Sequence, residues 1–211
     1  MTAPLIIAVD GPTASGKGTI ARALATHYGL PHLDTGLLYR AVGRQCALGG
    51  GNPDDPADAL GACDFPDDLL ADPELRTEAS GGLASRVSIH PGVRHALYER
   101  QRAFATQGGG AVLDGRDIGT VIAPEAVAKL FVTASVAARA GRRFLEMQSR
   151  GLQVTLDAIE ADLAARDERD RTRKEAPLVA APDALVLDNS DLSADGSVAA
   201  AIRLVELRLH R

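Results

Sequence analysis

Tryptophan is absent from this 211-residue chain, and aromatic residues make up only 3% of it. The stacking platforms that grip single-stranded nucleic acids need such side chains and are not expected here. A basic excess is missing too. Asp and Glu number 28 against 23 Lys and Arg, and the net charge of −5 argues against a nucleic-acid polymer as the main partner. Cysteine is scarce: Cys46 and Cys63 fit neither C-x-x-C nor a zinc pattern, and read as free thiols in a reducing compartment. No apolar run approaches the roughly 18 residues of a membrane helix, and the N-terminus enters Leu5–Val9 without the basic stretch of a signal peptide. These absences point to a cytoplasmic protein without a membrane partner. His27, His90, His95 and His210 lack metal-ligand spacing, and His32 reads as packing at a strand end.

What is present is an alternation of short apolar runs and helical segments. Leu5–Asp10, Leu30–Asp34, Ala111–Asp114, Lys129–Thr133 and Ala184–Asp188 read as strands. Helices are expected over Lys17–Tyr28, with Ile20, Ala23, Leu24 and His27 on one face, and over Thr35–Ala47, with Leu38, Val42 and Cys46 inward. Further helices are expected over Glu74–Ser88, from Pro91 to Ala105, and over Ser135–Arg150, Thr155–Lys174 and Ser193–Arg211. Leu48–Pro73, rich in Gly, Pro and Asp, reads as a loosely built loop. Strands alternating with helices predict an α/β fold, one parallel sheet with helices on both faces. Its ligand is then expected at the carboxyl ends of the strands.

Three motifs fall at such ends, and a fourth lies on a helix. Gly11, Gly16 and Lys17 fit the phosphate-binding pattern G-x-x-x-x-G-K between a strand and a helix. Gly11, Pro12, Thr13, Ala14, Ser15, Gly16, Lys17, Gly18 and Thr19 would cradle a nucleotide's phosphates with backbone N–H groups and the positive end of the helix dipole. Gly18 stands where the general pattern has the Ser or Thr that binds magnesium, and Thr19 follows one place later. Asp34, Thr35 and Arg40 come next. They can hold an acceptor phosphate opposite the loop, or form a helix cap with a surface arginine. In Asp114–Thr120, DGRDIGT, Arg116 can grip phosphate in a bidentate way and Asp117 is an acceptor suited to the exocyclic amine of cytosine. The lesser alternative is an ion pair between the two in a turn. Last, Arg166, Arg169, Asp170 and Arg173 share one helical face. That stripe suits a lid that neutralises a transferring phosphoryl group, or a solvated helix laced with ion pairs.

Taken together, the sequence resembles the bacterial cytidylate kinase family. The likeness rests on DGPTASGKGT at 10–19, LDTGLLYR at 33–40, the stretch from Arg76 through HPGVRHALYERQRAF to Phe104, DGRDIGT at 114–120, and RDERDRTR at 166–173 followed by APLV. Adenylate, shikimate and dephospho-coenzyme-A kinases share the loop but lack this set. The GKGT form is common in nucleoside monophosphate kinases. The resemblance implies a three-layer P-loop kinase fold with a five-stranded parallel sheet. Its core would span 1–47, 107–150 and 176–211, with a monophosphate-binding part at about 48–106 and a lid at about 151–175. It implies transfer of the ATP γ-phosphate to CMP or dCMP with Mg2+, by a monomer. Lys17, Arg116, Arg166, Asp170 and Arg173 would be catalytic. Thr35, Ser85, Arg94 and Asp117 would contact the base, Thr35 standing where the family often has Ser. Arg40, Arg116 and Arg173 would bind phosphate, with Asp34 beside them. Arg166 and Asp170 would reach ribose or phosphate, and Thr19 the metal. Long members carry a small β-sheet insertion that Leu48–Pro73 is expected to replace with a loop. The alternatives are a kinase for UMP or another small acceptor, and an inactive nucleotide-binding regulator.

Overall fold

β1 (Leu5–Asp10) is apolar up to its last residue and fully buried from Ile6 onward. A strand with no polar alternation belongs in the middle of a sheet covered on both faces, and β1 is the central strand. The computed structural model describes residues 4–210. Met1–Ala3, and Arg211 at the end of the expected last helix, lie outside the described residues. The remaining strands are β2 (His32–Asp34), β3 (Gly110–Gly115), β4 (Ala128–Thr133) and β5 (Leu185–Asp188), in the order β2-β3-β1-β4-β5. The sheet is parallel throughout.

The register does the placing. Asp10 lies level with Gly115 on β3 and with Phe131 on β4. From β1 the chain runs to β2 and back to β3 on one side, then crosses from β3 past β1 to β4 on the other, so the direction of the connections reverses at β1. Parallel sheets bind ligands at the carboxyl edge at such a point. The loop after β1 and the turn after β3 therefore start side by side.

The chain divides into two compact units, Met1–Leu33 with Ala105–Arg211, and Asp34–Phe104. In the first, α1 (Lys17–Tyr28) and α8 (Ala194–Leu209) cover one sheet face. Ile20, Leu24, Ala201 and Val205 pack on Ile7, Val9, Val112, Leu130 and Val132. The face of α1 is turned slightly from the expected one: Ala21 and Ala25 are buried with Ile20 and Leu24, while His27 is exposed and pairs with Glu206 at 3.7 Å. α6 (Val136–Ser149) and α7 (Leu156–Thr172) join through Ala140, Ile159 and Leu163.

The second unit holds α2 (Thr35–Leu48), α3 (Pro56–Gly61), α4 (Glu78–Val87) and α5 (Pro91–Ala105, whose last residue falls in the first unit). Leu38, Val42 and Cys46 are buried as the spacing of α2 predicts. Leu48–Pro73 is not a featureless loop. Asp55 accepts from the Ala57 and Asp58 N–H groups and starts α3, with Pro56 at its first position. A 3-10 turn follows over Asp67–Ala71, and another over Pro73–Arg76 delays the next helix from Glu74 to Glu78. The stretch holds no strand. Both cysteines are free, and burial pushes the Cys63 thiol up to about 11.

Leu24 is fully buried between α1 and the sheet. Leu24→Ala is expected to lower the unfolding free energy by about 2–5 kcal/mol in urea titration, through lost burial and the cavity left behind.

Candidate active site

The loop after β1 is shaped by backbone contacts before any charge enters. A Cβ at Gly11 would lie 2.1 Å from the Val132 carbonyl, so only glycine lets the chain pass β4. Gly16 has φ 84 and is the N-cap of α1. That helix has no side-chain cap and no acidic residue in its first turn, which leaves its positive end open to an anion.

The loop's carbonyls are turned into the protein. Pro12 O accepts from Lys17 Nζ at 3.3 Å, Thr13 O from Arg139 Nη1 at 3.0 Å, and Ser15 O from Asn189 Nδ2 at 2.9 Å. In a planar trans peptide the N–H points opposite to the C=O. The Ala14 and Gly16 N–H groups are therefore directed away from Arg139 and Asn189. This is the arrangement an anion cradle needs. Ala14 itself sits at φ 60, a left-handed conformation rare outside glycine.

The turn after β3 is fastened to this loop. Asp10, the last residue of β1, accepts from the Ile118 and Gly119 N–H groups, each at 2.8 Å. Arg116 Nη2 donates to Thr13 Oγ1, and Arg116 Nε pairs with Asp170 of α7. Burial alone pushes the Asp170 carboxyl up, but the Arg116 guanidinium, with Arg173 and Lys17, outweighs it and holds the carboxyl below its usual range. Asp117 lies 3.7 Å from Arg173, and Arg173 Nε donates to Ala176 O at 2.6 Å. Arg166 is buried and pairs with Asp162 at 2.9 Å. α7 ends at Thr172, short of the expected Lys174, and Arg173 follows as an extended C-cap. Arg166 and Asp170 are buried and Arg173 is half-buried, whereas Arg169 is exposed.

In the first unit, then, Gly11 to Thr19, Arg116, Asp117, Asp170 and Arg173 come together. Lys17 contributes to the charge environment of both Asp10 and Asp170. Arg166 also lies in this unit, on α7, whereas Asp34, Thr35, Arg40, Ser85 and Arg94 lie in the second unit. Thr35 opens α2 and is buried, and Asp34 is the N-cap of α2 without a side-chain cap bond. Arg40 Nη1 donates to Leu75 O at 2.8 Å and Thr77 O at 2.9 Å, which fixes one end of its guanidinium. Arg94 is buried on α5, 5.8 Å above the Tyr39 ring, a cation–π distance. Ser85 lies on α4, half-buried.

Sequence reasoning passed over Asp10, Asp114, Arg139 and Asn189. Asp10 and Asp114 are acids ending otherwise apolar strands, a visible signal. Asp114 pairs with His32 at 2.7 Å, and its carboxylate lies 3.6 Å from where a Cβ at Gly18 would stand. Arg139 and Asn189 carry no local signal for their loop contacts, because the loop partners are backbone carbonyls far away in sequence.

The cytidylate kinase family pattern matches residues 7–50 and 65–207. The chain belongs to the cytidylate kinase family. A cytidylate kinase from Caulobacter sp. (strain K31) is 54% identical over 202 residues, covering 95% of this chain and 94% of that protein. One from Xanthobacter autotrophicus is 55% identical over 205 residues, covering 97% and 98%. Among solved structures, a candidate kinase from Chloroflexus aurantiacus shares the fold with a TM-score of 0.50 at 18% identity, covering 100% of this chain and 98% of that one. Membership in the cytidylate kinase family makes the protein an ATP-dependent phosphotransferase. Residues 51–64, outside the family match, coincide with α3 and its approach.

Asp10 carries a pH signature. Burial pushes its carboxyl from the ordinary value of 3.8 up to about 7, against the two N–H bonds, with Asp117 adding to the rise and Lys17 opposing it. The folded-state value lies above the unfolded one, so the folded protein binds the extra proton between them. Stability is then highest at or below pH about 4 as far as this group is concerned, and is lost as pH rises to about 7. Comparing urea unfolding of the protein with that of Asp10→Asn from pH 4 to 8 isolates the effect. The stability difference between the two should shift in favour of the variant as pH rises. A pH-independent difference would refute the assignment.

Proposed function

We propose that this protein transfers the γ-phosphoryl group of ATP to CMP or dCMP, giving ADP and CDP or dCDP. The observation that carries the proposal is the contact among Thr13, Arg116 and Asp170. It joins the phosphate loop, the DGRD turn and α7, three motifs far apart in sequence. An oxygen of the acceptor phosphate attacks the γ-phosphorus in line. The bond from that phosphorus to the bridging oxygen of ADP breaks, and its electron pair leaves with ADP. The acceptor oxygen is already anionic, so no strong general base is required. Catalysis then rests on positioning and on charge neutralisation.

Each role follows from the chemistry of the side chain. The loop amides and Lys17 hold the donor phosphates. Arg116 and Arg173, each already close to a carboxylate, are assigned to the phosphates between which the group moves. Arg166 and Asp170 are assigned to ribose or phosphate, with residues 151–175 acting as the lid that excludes water. Asp117 would accept from the cytosine amine and Arg94 donate to the ring N3 and O2, much as in base-edge readout. Thr35 and Ser85 are assigned to the base, and Arg40 to the acceptor phosphate beside Asp34. These assignments are carried from the family motifs to the matching positions.

A divalent ion fits the donor set in one way. Among the described residues no cluster of three or more His, Cys, Asp or Glu can hold a metal. Mg2+ would therefore arrive on the phosphates of ATP, keeping much of its water, as it does at many phosphate sites. Thr19, and Asp114 beside Gly18, are the loop-side oxygens that would face it. When bound, it supplies charge neutralisation across the β- and γ-phosphates. A monomer in the cytoplasm suits two small diffusible substrates.

A panel of nucleoside monophosphates in a coupled ADP-release assay tests the acceptor. CMP and dCMP should be used well ahead of UMP, AMP and GMP, and a preference for UMP or AMP would sink the proposal. Lys17→Ala should lower kcat by roughly two to three orders of magnitude, comparable to removing one strong transition-state donor. Its unfolding midpoint should stay close to that of the unaltered protein.

A further inference from the structure

Thr13 is held twice. Its side-chain oxygen accepts from Arg116, and its carbonyl from Arg139. Each of these arginines is paired in turn with a carboxylate of α7, Arg116 with Asp170 and Arg139 with Asp167. Asp167 and Asp170 stand three residues apart and share one face of the helix. Two arginine–carboxylate links therefore run from one face of α7 to a single loop residue, one to its side chain and one to its main chain. Ala14, the next residue, packs against the apolar cluster that joins α6 and α7.

Arg139 is the better buried of the two arginines, at 2% exposure. Its Nε donates to Ala134 O at 3.0 Å, just past the end of β4, and Nη1 and Nη2 both reach the Asp167 carboxylate. Nη1 also donates to Thr13 O. One guanidinium thus meets three elements, in directions set by its planar fork. A lysine has one point of attachment and cannot reproduce this. The bond to Thr13 O turns the Ala14 N–H the other way, toward the side on which the loop must meet phosphate. No substrate contact is needed for Arg139 to act.

We propose that Arg139 is a positioning residue for phosphoryl transfer, keying α7 to the phosphate loop through Asp167 and the Thr13 carbonyl. The Ala14 amide and the Asp167 end of α7 are then tied to one side chain. Release of that link frees the Thr13–Ala14 peptide and loosens α7 together, which misplaces the donor phosphates and admits water. The inference rests on the phosphoryl-transfer proposal for the acceptor but not for ATP binding.

Arg139→Lys, Asp167→Asn and the double variant test it on the full-length protein. The readouts are KM for ATP, kcat with CMP, the ratio of ATP hydrolysis to phosphoryl transfer, and titration of a fluorescent ATP analogue. Each single variant is expected to lower kcat/KM for ATP by about ten- to a hundredfold, the range that a misplacement of about 1 Å costs. The hydrolysis-to-transfer ratio should rise, analogue binding should weaken, and the double variant should be little worse than either single one. Asp167→Glu, which keeps the charge, should recover part of the loss. Loss of kcat in proportion to the folded fraction, with KM, analogue affinity and the ratio unchanged, would mean a structural role and overturn the proposal. Additive effects in the double variant would overturn it too. If Arg139→Lys fails to fold, Asp167→Asn decides alone, because its side chain is partly exposed. If the unaltered protein transfers to no monophosphate, the assigned acceptor falls, and the analogue titration still decides the positioning role.

Discussion

A backbone segment that aims its amide hydrogens at one point must send its carbonyls the opposite way, and buried carbonyls need donors. The phosphate loop meets that demand with side chains drawn from the rest of the first unit. Arg139 comes from α6, Asn189 follows β5, and Lys17 folds back from the first turn of α1 onto Pro12 O. Arg142 holds the Asn189 side-chain oxygen at 3.0 Å, which leaves the Asn189 amide nitrogen directed at Ser15 O. The glycines make the loop conformation possible. The distant donors determine which of the possible conformations it adopts. β4, β5 and α6 thus support the loop as well as the core.

Charge balance follows from the same geometry. Asp10, Asp117 and Asp170 are buried near Lys17, Arg116 and Arg173. An unpaired buried charge costs several kcal/mol, so such groups persist in pairs. Two of these carboxylates diverge according to their partners. Asp170, against Arg116, is held below its usual range, whereas Asp10, which has amides and no arginine contact, is pushed up to about 7. On the proposed function, phosphates would here exchange partners with carboxylates rather than meet bare cations. The arginines are held in place beforehand, and the site avoids the desolvation cost of isolated guanidinium groups. Asp117 has two oxygens and several lone pairs, so nearness to Arg173 is compatible with accepting an amine as well.

The strands, the loop and the helix α1 were legible because each has a local signature: continuous apolar runs, glycines at fixed offsets, and a 3.6-residue period. Cys46 could be turned inward from spacing alone, since Leu38 and Val42 repeat the interval. His27 could not, because the apolar positions of α1 are mostly alanines and the register between Ala21 and Ala23 is decided by what the sheet leaves room for. Arg116 and Asp170 could be nominated from charge in a motif, but their mutual contact spans 54 positions. Arg139 and Asn189 were illegible for a deeper reason. Their partners in the loop are backbone carbonyls, which every residue carries, so nothing in the sequence marks the receiving end.

Leu48–Pro73 shows the opposite error, structure where composition suggested a loose loop. Its Asp and Pro residues are helix starters as much as loop formers. Asp55 caps α3, Asp72 accepts from Glu74 N–H at 2.8 Å, and both are followed at once by proline. The stretch is also stitched to its own unit. Arg86 grips Asp54 with bonds of 2.8 and 2.6 Å, and buried His90 donates to Pro53 O at 2.9 Å. The Arg86–Asp54 pair is exposed and adds little stability, whereas the His90 bond satisfies a buried polar group and matters more. All of these contacts lie within Asp34–Phe104, while the loop, the DGRD turn and α7 are held by contacts within the other unit. The stretch therefore belongs to the unit that carries Arg40, Ser85 and Arg94, and the carbonyl anchors of the phosphate loop lie in the other.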